Sequence, residues 1–373
     1  VKAIVIGAGI GGLATAIALD RAGVEVEVYE RVAELGEIGA GISLWANAIR
    51  ALRSIGLADA LLASGAPAGD AGLRTSEGAP LVMPSGELAG RLQDLAVVVH
   101  RADLQRVLLS AFGRERVMTG HACTSVEQDD RSATAIFAND QRARGDVLIG
   151  ADGLHSVVRA ALHGDRPPLY SGHTAWRGVV SFDHTKVRAG ESWGRGERFG
   201  QIPMSEGRVY WFATQNAPEG ARSADGEKAQ LLRLFRSWHA PIEDLIVATP
   251  DRAVLRNDIY DRPPLKRWGD RRITLVGDAA HPMTPNLGQG ACQALEDAVA
   301  LASHLARSTD AIASLRAYET ARIPRANQIV LASRRAGWMG QWSHPFAVSL
   351  RNQIIKLAGA RLQARAIQSL VEG

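Results

Sequence analysis

Three separated clusters of small and acidic residues are where this chain could do chemistry. Gly7, Gly9, Gly11 and Gly12 lie in Gly7-Ala8-Gly9-Ile10-Gly11-Gly12, directly after the apolar, β-branched run Lys2-Ala3-Ile4-Val5-Ile6. Leu13 to Leu19 then carries apolar residues at helical spacing. Strand, tight turn and helix in that order bring backbone N–H groups and the positive end of a helix up to a pyrophosphate. Val24 to Tyr29 alternates as a second strand, and Glu30 closes it with Arg31 beside it. A carboxylate there accepts hydrogen bonds from a ribose diol and repels a 2′-phosphate. The first cluster therefore implies a bound dinucleotide.

The second cluster is Asp152-Gly153-Leu154-His155-Ser156-Val157-Val158-Arg159, which follows the buried-looking run 146–151 and opens a helix. Asp152 can take hydrogen bonds near a pyrophosphate, or it can cap the exposed N–H groups of the next turn. In the third cluster, Gly277-Asp278 follows the strand-like run 272–276, and His281, Pro282 and Pro285 shape a rigid loop into a helix beginning near Leu287. The small residues Gly288, Gly290 and Ala291, with Gln289 between them, leave backbone N–H groups open to a ligand at the helix start. The helix dipole there favours negative charge on whatever group approaches.

These clusters in this order, with Pro285-Asn286-Leu287-Gly288-Gln289-Gly290 behind the last, resemble the class A FAD-dependent aromatic monooxygenases over nearly the whole chain. Bacterial urate hydroxylases, 3-hydroxybenzoate and salicylate hydroxylases and zeaxanthin epoxidase are the members the chain is similar to. The resemblance implies that Asp278 holds the ribityl chain of FAD, and that Arg101, in His100-Arg101-Ala102-Asp103-Leu104, reaches the cofactor from the start of a helix. It places Ser43 at a hairpin end against the flavin. It associates the Asp152 segment with both FAD and transient NADH or NADPH. It also implies oxygen transfer from a flavin C4a-hydroperoxide to an electron-rich aromatic or N-heteroaromatic small molecule, with Pro285 in the catalytic loop. An epoxidase or antibiotic-modifying oxygenase of the same fold, or an FAD-binding reductase that transfers no oxygen, stays open beside it.

The elements that must position these groups predict an α/β chain. A Rossmann-like FAD-binding lobe is expected from 1–164 and 271–340, with an inserted mixed β-sheet substrate lobe at 165–270 and a C-terminal helical segment at 341–373. Helices are expected over 46–55 and 101–112, and 116–118 with 133–137 should form a small antiparallel meander. Trp176, Arg177, Phe199, Gln201 and Trp211 are the candidate walls for a flat substrate, although alternate residues of these strands must also fill a core. Arg208 and Tyr210 are the catalytic candidates, favouring an anionic substrate. Arg208 matches, by resemblance, the substrate-side arginine of the urate enzymes. Asn286 departs from them, since they carry an aspartate there.

Composition sets outer bounds. With 373 residues, 46% of them hydrophobic, the chain can fill the cores of two lobes. Cys123 and Cys292 are too few for a disulfide framework or a four-ligand zinc site, and no metal is expected. No secretory leader or membrane span is evident, so a cytoplasmic monomer or homodimer is expected. The net charge of +4 comes from scattered cations without interleaved aromatics, which argues against nucleic acid. Near the C-terminus, Phe346, Leu350, Ile354 and Leu357 share one helical face, with Arg351, Lys356, Arg361 and Arg365 positive. An interfacial helix has this pattern. Packing across the lobes is the expected use.

Overall fold

Ala3 to Ile6 carries no polar side chain, so its strand must be covered on both faces, and it lies at the centre of a parallel sheet. The computed structural model describes residues 1–36, 39–67, 71–83 and 96–371, with backbone alone from 360 on. Its strands in chain order are β1 (Lys2–Ile6), β2 (Glu25–Tyr29), β3 (Gly41–Trp45), β4 (Ala66–Pro67), β5 (Gly72–Thr75), β6 (Pro80–Val82), β7 (Ala96–His100), β8 (Val117–Met118) and β9 (Cys123–Gln128). Then come β10 (Ala133–Phe137), β11 (Arg142–Gly145), β12 (Val147–Gly150), β13 (Leu169–Ser181), β14 (Gly190–Trp193), β15 (Glu197–Pro203), β16 (Arg208–Asn216), β17 (Leu255–Asp261) and β18 (Ile273–Leu275). The helices are α1 (Ile10–Arg21), α2 (Ala46–Ser54), α3 (Ala58–Leu62), α4 (Arg101–Phe112), α5 (Val157–His163), α6 (Glu227–Phe235), α7 (Ile242–Ala248), α8 (Gly290–Ala306), α9 (Ala311–Gly340) and α10 (Pro345–Val371).

The parallel sheet runs β18-β12-β1-β2-β8, and α1 packs against α8 beside it. Each parallel neighbour is reached through a crossover, which gathers the turn after β1, Asp152 after β12 and Gly277 after β18 at the carboxyl ends of adjacent strands. The meander is β11-β10-β9. Residues 117–118, expected in it, instead pair in parallel with Val28 and Tyr29 and extend the main sheet.

The second sheet has the order β17-β13-β16-β15-β14-β5-β6. It is mixed because β5 runs parallel to β14 while its other pairs are antiparallel. β5 and β6 come from residues 72–82, inside the segment expected to belong wholly to the first lobe, so the chain crosses between lobes earlier than the sequence suggested. One face of this sheet lies against α6 and α7 and buries Trp176, Phe199 and Trp211 among Leu231, Phe235 and Leu245. The opposite face looks toward the three-stranded sheet β3-β7-β4 and the third cluster. Among the described residues no helix is long and apolar enough to cross a membrane.

Candidate active site

In the first cluster the glycines divide the work. Gly7 sits at φ +106°, and a Cβ on it would meet the Ala151 carbonyl, while a Cβ on Gly12 would strike the Gly7 carbonyl. Those two positions let strand, turn and helix close on one another. Gly9 instead has open space around it, and α1 starts there with no side-chain cap, so its first N–H groups are free for an anion. The Glu30 carboxylate accepts from the N–H of Ala8 at 2.7 Å and of Val32 at 3.1 Å, fixing it at the end of β2 with Arg31 exposed beside it. Gln105, which sequence reasoning missed, donates to the Ala8 carbonyl at 2.9 Å and braces the turn from α4.

Asp152 supports the start of α5. Its carboxylate accepts from the Ser156 hydroxyl at 2.5 Å and the Val157 N–H at 2.7 Å, at the start of α5. Burial raises its pKa and these hydrogen bonds oppose the rise. Arg159, one helical turn on, is buried and donates to the carbonyls of Ala279 and Ala280 at 3.0 and 2.9 Å. The second cluster thus clamps the third.

Asp297, on α8, organises the loop around Asp278. It accepts from the Gly277 N–H at 2.9 Å, His281 Nε2 at 2.5 Å and Arg322 Nε at 2.8 Å. Burial would raise its pKa, but His281, Arg322 and these hydrogen bonds outweigh that and hold it at about 2. An aspartate at helical spacing with the apolar Ala294, Ala298 and Leu301 was the sequence signal that could have found it. The Asp278 side chain is ringed by protein yet exposed to solvent, as at the floor of a cleft. The surrounding protein raises its pKa, and His281 and Arg101 counter this. Arg101 opens α4, and its N–H donates to Ala40 at 2.8 Å.

Pro285–Leu287 forms a tight turn, Gly288 follows in the left-handed region at φ +62°, and α8 begins at Gly290 with no side-chain cap. Trp45 and Ser43 lie against Gly288, and the buried Trp45 Nε1 has no hydrogen-bond partner in the protein. The Gln289 side chain is buried, and its oxygen accepts from Asn47 and Gln293, both at 3.1 Å, while its buried Nε2 has no partner among the described residues. Open space at Gly9, two uncapped helix starts, the carboxylate of Asp278 in its cleft and the strand bearing Ser43 fit a diphosphate joined through a polyol to a flat ring.

Strand alternation divides the substrate candidates between two faces. Trp176 donates to Glu227 at 2.7 Å, Trp211 donates to Thr249 at 2.8 Å, and Phe199 stacks on Trp211, all toward α6 and α7. Gln201, on the same face, donates to the Arg188 carbonyl at 3.1 Å. Trp176, Phe199 and Trp211 are corrected to core, because the second sheet needs one face buried against helices, whereas Gln201 lines a separate cavity with Arg74, Arg188 and His239. Arg208 is also corrected. It sits at the rim where β16 starts, paired with the exposed Glu206 at 3.1 Å and 3.9 Å from Asp103, which also pairs with Arg106. The flavin-loop face carries Arg177, Tyr210, Phe212 and Arg198 instead. Tyr210 packs on Gly41, where a Cβ would collide with its ring, and Phe212 lies across Gly200 in the same way. Arg198, which sequence reasoning missed, is buried and donates to Asn286 at 2.7 Å and, through Nε, to Gln341 at 2.7 Å.

The comparisons with known proteins agree with this geometry. The family described as "FAD binding domain" matches residues 1–333. The chain is 40% identical over 371 residues to an aurachin C monooxygenase/isomerase of Stigmatella aurantiaca, covering 98% of this chain and 97% of that protein. It is 38% identical to an FAD-dependent urate hydroxylase of Klebsiella pneumoniae subsp. pneumoniae, covering 90% and 89%. The crystal structure of Klebsiella pneumoniae HpxO complexed with FAD and uric acid superposes with a TM-score of 0.91 at 34% identity, covering 100% of this chain and 97% of that one. With a dinucleotide turn, a flavin-shaped loop and a second sheet set against it, this chain belongs to the FAD-binding class A monooxygenases.

Proposed function

We propose that this enzyme uses NADH or NADPH and O₂ to hydroxylate an electron-rich aromatic or N-heteroaromatic molecule that binds as an anion beside Arg198. The observation that carries this reading is a buried guanidinium on the flavin-facing side of the substrate sheet whose nearest partner in the loop is the neutral Asn286. Asn286 accepts from Arg198 and donates to the Thr284 hydroxyl at 2.8 Å and the Ser333 carbonyl at 3.1 Å. An aspartate there would set a carboxylate oxygen against the Ser333 carbonyl and neutralise Arg198. Glu191 offsets the charge only in part, since it lies 3.8 Å away and accepts from Trp193 at 2.8 Å. Uric acid, present in the HpxO structure, is an acidic N-heterocycle of the kind such a cation suits.

Bound FAD would supply the redox chemistry and the activation of O₂. The chain's residues do the rest. Free N–H groups at the start of α8 stabilise negative charge on the ring. Phe212, Val179 and Ile202 supply an apolar wall, and Arg198 holds the substrate anion, which is more electron-rich than its neutral form. Burial raises the pKa of Tyr210 and Arg177 opposes this, so its phenol stays protonated at neutral pH and can donate. The packing of Tyr210 on Gly41 closes the two lobes against water.

The test is a screen of aromatic acids, purines and quinolones for stimulated NADH and NADPH consumption by the FAD-loaded protein, with ¹⁸O₂ incorporation into product. Arg198→Gln should raise KM for the substrate found about 10- to 100-fold while FAD stays bound. Nicotinamide oxidation that no compound stimulates, with all oxygen recovered as peroxide, would leave a reductase and overturn the proposal.

A further inference from the structure

The end of α9 and the start of α10 carry an apolar row on their outer surface. Trp338 is 68% exposed, Phe346 74% and Leu357 89%, with Leu350 and Ile354 between them and Trp342 set edge-on to Trp338 at 5.0 Å. Phe346, Leu350, Ile354 and Leu357 recur at helical spacing and so share one face of α10. The opposite face already holds the helix in place. Arg351 donates to the carbonyls of Gly340 and Gly194 at 3.2 and 3.0 Å and lies over the Trp193 ring, and Ile355 packs with Leu81 and Val82. These contacts hold α10 against the second sheet and the end of α9, and among the described residues none covers the apolar row.

Charge indicates what covers it. From Thr320 to Val371 there are eight Lys and Arg and no Asp or Glu, against a net charge of only +4 for the whole chain. Arg322, Arg325, Arg334 and Arg351 are engaged within the fold. Arg335 and Lys356 are exposed near the row, and the side chains of Arg361 and Arg365 lie outside the described residues. A second copy meeting this face symmetrically would bring cation against cation. An anionic lipid surface complements the charge and receives the aromatic and aliphatic side chains at headgroup depth. We propose that this face docks the enzyme on anionic membranes, with α10 lying in the interface plane. Gln341, which holds Arg198, sits between Gly340 and Trp342, so docking would set the substrate wall next to the bilayer. That last link rests on the role given to Arg198, whereas membrane binding does not.

The FAD-loaded protein should co-sediment with vesicles of phosphatidylcholine and phosphatidylglycerol, and far less with phosphatidylcholine alone. Binding should weaken as salt rises from about 0.1 M to about 1 M. Phe346→Ser with Leu357→Ser should lower vesicle partition about tenfold or more, with flavin absorbance and circular dichroism unchanged. Arg335→Glu with Lys356→Glu should remove the preference for anionic lipid. No sedimentation of the unaltered protein with anionic vesicles, or equal sedimentation of the serine variant, overturns the proposal. So does a dimer in solution that Trp338→Ser dissociates while vesicles bind neither form.

Discussion

Replacing Asp297 with Asn exchanges a single heavy atom in the core and tests the scaffold of the flavin loop. The carboxylate of Asp297 joins Gly277, His281 and Arg322, and it is fully buried. Breaking a buried ion pair by removing one partner costs about 3–5 kcal/mol. Arg322 keeps Glu296 and the side-chain oxygen of Gln293 as partners, so the loss should fall near the lower end, about 3 kcal/mol. Urea unfolding of the FAD-free protein would read this as a lower midpoint with unchanged slope. The pH dependence gives a second, signed readout. With a folded pKa of about 2 against an ordinary 3.8, ionised Asp297 adds stability that is fully present above pH 4 and lost as pH falls toward 2. The Asn variant should lack that part of the acid slope. FAD affinity should fall as well, because Gly277, tethered by Asp297, precedes Asp278. A variant as stable as the original, with the same acid slope, would mean that Asp297 is not the ionised centre of this network.

Three further outcomes follow from the same geometry. Gly12→Ala should destabilise the FAD-free protein because its Cβ meets the Gly7 carbonyl, whereas Gly9→Ala should fold normally and lose FAD affinity, which thermal unfolding and flavin fluorescence titration would separate. Asp278→Ala should weaken FAD binding about ten- to a hundredfold through loss of a charge-assisted hydrogen bond, measured by the same titration; unchanged affinity in a folded variant would remove Asp278 from the cofactor site. Arg198→Gln should raise KM while Arg208→Gln leaves it near its original value, and the reverse order in steady-state kinetics would restore the rim arginine as the substrate cation.

The parts of this protein legible in its sequence were those fixed by local geometry. Gly7, Gly9 and Gly12 follow an apolar strand at a spacing that only a tight strand-to-helix turn needs, and Glu30 ends the next strand. Gly288, Gly290 and Ala291 before a long helix likewise announce an open, uncapped helix start. For Asp152 the sequence allows two roles, and the folded position of Ser156 and Val157 shows its carboxylate satisfying the first turn of α5. The substrate face was decided by tertiary structure alone. Alternation along β15 and β16 sorts residues into two sets but does not tell which set meets the helices, so Trp211 and Phe199 fell in the core while Phe212 and Arg198 faced the loop. Arg198 and Asn286 stand 88 residues apart, and Asp297 and Arg322 stand 25 apart. Sequence patterns report on neighbours within a turn or a strand, whereas a buried charge finds its partner only when separate elements pack together and water is excluded around it.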